Sequence, residues 1–231
     1  MEPTAEAFLA RLRAAATDEQ RVAYRRFFPG DESFLGVRMG TVFAIARECL
    51  AMPPGEIEAL LESPVHEARA GACSVMGRAA THRRTAPERH EELYRLYLRR
   101  HDRIDDWDLV DLAAHQVVGT WLLDRPRDPL YDLARSGSWP ERRSAVVATA
   151  AFLRRGQTDD TFALARLLAG DDHPLVHKGV GWMLRYAGDV DRGRFLAFLD
   201  SSAPDLPRAV VRPAVEKLEP ADRTRFVAAS R

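Results

Sequence analysis

Apolar residues recur along this 231-residue chain at three- and four-residue intervals, in segments a few helical turns long, separated by turn residues. That spacing is the signature of amphipathic helices. No long period-two alternation of Val, Ile, Thr or aromatic residues occurs, and no Asn-Gly or Asp-Gly hairpin turn is present. Most prolines fall at the breaks: Pro29, Pro53, Pro54, Pro64, Pro87, Pro126, Pro129, Pro140, Pro174, Pro204 and Pro207. Ser63-Pro64 reads as a capping residue followed by the first helical position. Ser138-Trp-Pro-Glu141 reads as a capping box. The pattern predicts an all-α chain with no strand.

A longer period lies above the helical one. Pro64-Val-His-Glu-Ala-Arg69, Trp139-Pro-Glu-Arg-Arg143, His173-Pro-Leu-Val-His-Lys178 and Leu206-Pro-Arg208 each lead into an Ala/Val-rich helix. The interval from Arg69 to Arg143 is twice as long, to within a few positions, as that from Arg143 to Lys178. Ile104 to Leu122 supplies the helix in the middle of the longer interval. The unit so defined is close to the period of roughly 40 residues that marks HEAT-like helix pairs. Such pairs bury their apolar faces against their neighbours and stack into a right-handed solenoid. The expectation is one domain over residues 1–231, without an internal boundary.

Three segments place unusual side chains on these helices. In the helix containing Ile104-Asp-Asp-Trp-Asp-Leu-Val-Asp111 the apolar stripe is Val110, Ala114, Val117, Val118 and Trp121. Trp107 falls on that stripe, Asp111 lies one turn on at its edge, and Asp108 is expected to project towards solvent. A carboxylate against an indole on an apolar margin is partly desolvated, which is costly without a partner or a task. Asp111 therefore either caps or ion-pairs with a neighbouring helix, or does chemistry. In the helix starting near Val176 the core stripe is Val176, Val180, Met183, Leu184 and Ala187. Trp182 lies on the polar side with Lys178 and Arg185. Such an indole either packs on the adjacent repeat or meets a flat, anionic ligand, and nucleic acid fits both demands. Arg142 and Arg143 flank the stripe of Ala145, Val146, Ala150 and Leu153 at a helix start. They are suited either to inter-repeat salt bridges or to phosphate.

Other chemistries find no support. His66-Glu67 lacks a second histidine at Ala70, and His173 and His177 are separated by Pro174, which starts a helix between them. No phosphate-binding glycine loop and no Gly-x-Ser-x-Gly elbow occurs. Neither a metal nor a cofactor is expected. Cys49 and Cys73 sit in apolar contexts without a disulfide or zinc spacing. No uncharged apolar run has the length of a membrane-spanning helix, and Met1 to Ala16 carries charges rather than a signal-peptide core. An intracellular, cytoplasmic protein without membrane contact is expected. Formal net charge is zero, which weighs against a polyanionic partner, but 34 basic residues include only two lysines, Lys178 and Lys217. Arginine forks suit bidentate phosphate recognition, so the distribution of the arginines over the surface decides the matter.

Together, Tyr24-Arg-Arg-Phe-Phe-Pro29, Phe34-Leu-Gly-Val-Arg38, His66-Glu-Ala-Arg69, Trp107-Asp-Leu-Val-Asp111, Trp139-Pro-Glu-Arg-Arg143 and Gly181-Trp-Met-Leu-Arg185 resemble the AlkD family of DNA alkylation repair glycosylases. The resemblance runs over about residues 20 to 190, in the family's order. It implies a HEAT-like solenoid with a concave DNA-binding face, acting as a monomer on duplex DNA containing alkylated bases. The implied activity is hydrolysis of the N-glycosidic bond of N3- or N7-alkylated purines, with no cofactor. The family's catalytic aspartate falls on Asp111, its two lesion-side tryptophans on Trp107 and Trp182, and its active-site arginine on Arg143, with Arg142 the alternative. DNA contacts are implied at Arg142, Lys178, Arg185, Arg69, Arg38 and Tyr24. The family holds its lesion against an open surface, so bulky adducts are acceptable substrates. The competing reading is a non-catalytic helical scaffold that binds protein or unmodified nucleic acid.

Overall fold

A computed structural model describes residues 3–24 and 33–231. Among these residues every regular element is helical and none is a strand, as the periodicity predicts. The expected break at Pro29, and all of the Tyr24–Pro29 segment beyond Tyr24 itself, lie outside the described residues. The chain divides into two compact units, Met1–Val117 and Val118–Arg231.

In the first unit the helices are α1 (Ala5–Ala15), α2 (Asp18–Tyr24), α3 (Met39–Glu48), α4 (Pro54–Glu62), α5 (His66–Thr81), α6 (Pro87–Arg99) and α7 (Trp107–Ala114). α5 is the hub and packs against α1, α3, α4, α6 and α7. Its sequence explains why: Ala68, Ala70, Gly71, Ala72, Cys73, Ser74, Gly77, Ala79 and Ala80 are small and buried, so neighbours approach it from every side. A helix buried all round has no solvent face, which is why the polar His66, Glu67 and Arg69 are buried as well. Cys73 lies in this core, and burial pushes its thiol far above the usual range. Cys49, also buried, ends α3 with its thiol raised by burial.

In the second unit the helices are α8 (Asp128–Ala134), α9 (Trp139–Ala148), α10 (Ala150–Leu153), α11 (Asp159–Leu167), α12 (Pro174–Val190), α13 (Arg192–Ser202), α14 (Arg208–Ala214) and α15 (Pro220–Ala229). α12 is the counterpart of α5, packed on α9, α10, α11, α13 and α14. The stripe read from sequence, Val176, Val180, Met183, Leu184 and Ala187, is buried throughout. Gly181 lets α14 approach: a Cβ there would lie 2.6 Å from the Val210 carbonyl oxygen.

Three local expectations need correction. Ser63-Pro64 does not start a helix; Ser63 ends α4, its hydroxyl accepts from the Val65 N–H, and α5 begins beyond the proline, at His66. Ser138 is the N-cap of α9 but makes no side-chain capping bond, so the capping box is not formed. The segment read as a single helix from Ile104 to Leu122 is α-helical over α7 and then widens to π-helical turns over His115–Gly119. Single π turns inside helices occur frequently at functional sites.

Candidate functional site

The buried polar triplet at the start of α5 organises the first unit. Glu67, fully buried, accepts three backbone N–H bonds, from Leu35 at 3.0 Å, Gly36 at 2.8 Å and Val37 at 3.0 Å. A buried carboxylate is tolerable only with such a donor set. Gly36 sits in that clasp at φ +94°, a left-handed conformation that side chains resist, and a Cβ there would lie 2.3 Å from the Thr17 carbonyl oxygen. The triplet's other two members bind the segment before and at the start of the last helix of the unit. His66, only 1% exposed, stacks on Phe34 with ring centroids 4.5 Å apart and meets Asp108 Oδ2 through Nε2 at 2.7 Å. Arg69, one turn further along α5, pairs with Asp105 through Nη1. Arg69, expected to meet DNA, is buried and tied within the unit to Asp105.

These ties end on the segment that starts α7. Asp106 is the N-cap, its carboxylate accepting from the Trp107 N–H at 2.6 Å. Burial raises the Asp106 pKa, and the nearby Asp108 carboxylate adds to it. Asp108 accepts from the Leu109 N–H at 2.9 Å with one oxygen and meets His66 with the other. It is therefore not turned out to solvent as expected, because His66 on the neighbouring helix claims it. Trp107 also departs from expectation: it is 40% exposed, not part of the core stripe. The buried set of α7 is Leu109, Val110, Ala113 and Ala114, and Trp107 occupies the first helical position at its margin. Asp111, one turn on, is half-buried. Four positions apart on a helix, the indole and the carboxylate share one side.

In the second unit Trp182 is 39% exposed on α12, and Lys178, one turn before it, is exposed and makes no ion pair among the described residues. Arg185, one turn after, is paired with Glu216. The two adjacent arginines of α9 divide sharply. Arg142 is consumed: Nε and Nη2 grip Asp171 at 2.6 and 3.1 Å, and Nη1 donates to the carbonyls of Ser136 and Gly137. Burial works against charge on Asp171, yet its hydrogen bonds from Arg142 and the His173 N–H hold the carboxyl below the usual range. Arg143 is buried under α12, where Nη1 donates to the Leu175 carbonyl. Beside them, Trp139 stacks flat on His173, with centroids 4.3 Å apart and planes within 2°.

Two further residues expected to meet DNA lie in the first unit. Arg38 is exposed at the N-cap of α3, with no ion pair among the described residues. Tyr24 donates its hydroxyl to the Val37 carbonyl at 2.7 Å and packs on Phe34. Burial and the Glu67 carboxylate push the Tyr24 hydroxyl up to about 12. His66, Asp106 and Asp108 also form a grouping of metal-ligand type, with candidate ligand atoms within 4.8 Å of one another. His66 and Asp108 are already bonded to each other there, and Asp106 is committed to its cap. Sequence reasoning missed His66, Glu67 and Asp108. The available signal was the polar His-Glu pair at the start of a helix rich in small residues.

The fold and these side chains define a class: an all-α helical-repeat protein with an exposed indole and a half-buried carboxylate on one helix turn. A sequence profile of the DNA alkylation repair enzyme family matches residues 8–218, and the chain belongs to that family. Its role is accordingly in DNA repair. Among solved structures, a predicted DNA alkylation repair enzyme from Enterococcus faecalis superposes with a TM-score of 0.70 at 16% identity, covering 89% of this chain and 97% of that one. At that identity the likeness concerns the fold. No curated protein matches in sequence.

Proposed function

We propose that this protein is a DNA glycosylase that hydrolyses the N-glycosidic bond of N3- and N7-alkylated purines in duplex DNA. The observation that carries the reading is the pair on α7: a half-buried Asp111 one turn from an exposed Trp107. An N3- or N7-alkylated purine is already cationic, so its departure needs no general acid. Positive charge develops on the deoxyribose as the bond breaks, as in other glycosidic cleavages. One partly desolvated carboxylate stabilises that charge and orients the attacking water. Exposed indoles suit the cationic base and electron-poor sugar through their π faces. In this reading Asp111 and Trp107 face the lesion. Trp182, Lys178 and Arg38 are DNA contacts in this reading. Arg143 serves by holding α9 to α12, while Arg142 and Arg69 are structural. No cofactor is needed, and an open surface admits bulky adducts as well as methyl groups.

The experiment is single-turnover excision of 7-methylguanine and 3-methyladenine by Asp111→Asn, with binding measured separately. The rate is expected to fall 10- to 1000-fold, about 1.4–4 kcal/mol of barrier, with fold and affinity retained. Asp124→Asn, at an exposed site in the second unit, is the control. Asp108→Asn, suitable by its expected exposure, is not a control, since Asp108 is bound to His66. Excision by Asp111→Asn at the wild-type rate would leave the scaffold reading in its place.

A further inference from the structure

We infer that His66 is a positioning residue for the α7 site, acting through Asp108 to fix how Trp107 and Asp111 are presented. The inference rests on the glycosylase reading above. The imidazole is only 1% exposed, so the bond that its Nε2 makes is shielded from water. One face of the ring lies on Phe34, itself packed against Tyr24, so the ring cannot turn freely. The Nε2 atom then meets Asp108, the residue between Trp107 and Leu109 at the start of α7. With Oδ1 on its own Leu109 N–H and Oδ2 on His66, the Asp108 carboxylate ties the first turn of α7 to α5. Arg69 repeats the tie one turn along α5, to Asp105. The helix start is thus held at two points, Asp105 and Asp108, with Trp107 between them and Asp111 one turn beyond Trp107.

Apolar packing alone would leave this helix start poorly fixed. α7 buries Leu109, Val110, Ala113 and Ala114, and Trp107 at its first position is exposed. Greasy contacts tolerate small rotations of a helix, whereas hydrogen bonds between fixed groups do not. A displacement of about 1 Å at a reacting group can cost about 100-fold in rate, and precise sites need supporting side chains locked by packing and hydrogen bonds. The neighbouring Glu67 holds the 35–37 loop that ends in Val37, and Val37 receives the Tyr24 hydroxyl. The stack of Tyr24 and Phe34 under His66 is thereby fixed from below.

The test compares His66→Leu, His66→Gln, Asp108→Asn and the His66→Leu/Asp108→Asn pair. Single-turnover excision of 7-methylguanine at saturating enzyme is measured beside affinity for a duplex carrying a tetrahydrofuran abasic analogue. His66→Leu is expected to slow excision 10- to 100-fold while affinity changes less than threefold. His66→Gln, whose amide N–H can still reach Asp108, is expected to recover to within about fivefold of wild type. Asp108→Asn leaves one acceptor oxygen where the carboxylate uses two, for the Leu109 N–H and for His66, and is expected to lose as much as His66→Leu. The double variant should be no slower than either single one, since both break the same tie. If His66→Leu does not fold, Asp108→Asn and His66→Gln still decide. A rate within twofold of wild type for Asp108→Asn or His66→Leu overturns the inference, as do a His66→Gln as slow as Asp108→Asn and fully additive losses. Asp111→Asn is run alongside. If it is slow while His66→Leu is not, the brace alone fails; if it is fast, the glycosylase reading fails and takes the brace with it.

Discussion

Asp111 and Trp107 share one side of α7, but they differ in what holds them: the carboxylate is half-buried, the indole stands exposed at the helix start. Trp182 is the matching exposed indole of the second unit. Because it is not part of a core, Trp182→Ala is expected to leave the melting temperature within about 2 °C, while weakening binding to lesion-bearing duplex about 10-fold. Stacking on an exposed indole is worth about 1–3 kcal/mol per base. Loss of stability without loss of binding would make this tryptophan a packing residue. Tyr24 gives a residue-scale check that does not depend on function. Its hydroxyl is pushed up to about 12, above its unfolded value near 10. The folded state thus keeps a proton that the unfolded state gives up, so stability from Tyr24 is present below about pH 10 and is lost between there and about pH 12. In Tyr24→Phe that alkaline slope should flatten in denaturant melts taken from pH 9 to 11.

Elements show where sequence reasoning reaches its limit. The stripe of α12 is legible because all five of its members face one core on one helix. Asp108 is not, because a helical wheel sees only its own helix, and the group that claims Asp108 sits 42 residues earlier on α5. Trp107 escapes because it stands at a helix start, where periodicity no longer determines burial. The same applies to Ser63 and Ser138: Ser63 ends α4 instead of starting α5, and Ser138 stands at the N-cap of α9 without a side-chain capping bond. The ion pair that closes the start of α9 can be checked in the second unit. Asp171, gripped by Arg142, has its carboxyl held low. That contribution is present above about pH 4 and is lost as pH falls below it. Asp171→Asn should therefore lower stability at pH 7 and remove part of the acid dependence in melts between about pH 2 and 5. Gly36→Ala, which puts a Cβ 2.3 Å from the Thr17 carbonyl at a left-handed φ, should cost more than about 1 kcal/mol.

At the scale of the whole chain, zero net charge is not spread evenly: many arginines are neutralised where they stand. Arg100 alone meets Glu58, Glu62 and Asp102, while Arg38 and Lys178 remain exposed with no ion pair among the described residues. The class of fold is readable from period alone, but this division of the arginines is not, since Arg142 and Arg100 find partners 29 and 42 residues away. Binding to undamaged duplex should accordingly fall with salt, and Lys178→Ala should reduce the slope of log affinity against log salt by about one. An affinity that ignores salt would speak against a nucleic-acid surface.

The placement of the two thiols has a consequence for a member of a DNA alkylation repair family. Alkylating agents attack thiolates before almost any other protein group, and Cys73 and Cys49 are both buried with their ionisation suppressed. Only two lysines add amines to that inventory. Folding thus shields both thiols from alkylating agents. Under a dose of methyl methanesulfonate or iodoacetamide that labels both cysteines in urea, intact-protein mass should stay unmodified at sulfur in native buffer. Such a protein would go on working in a cell whose exposed thiols were already spent.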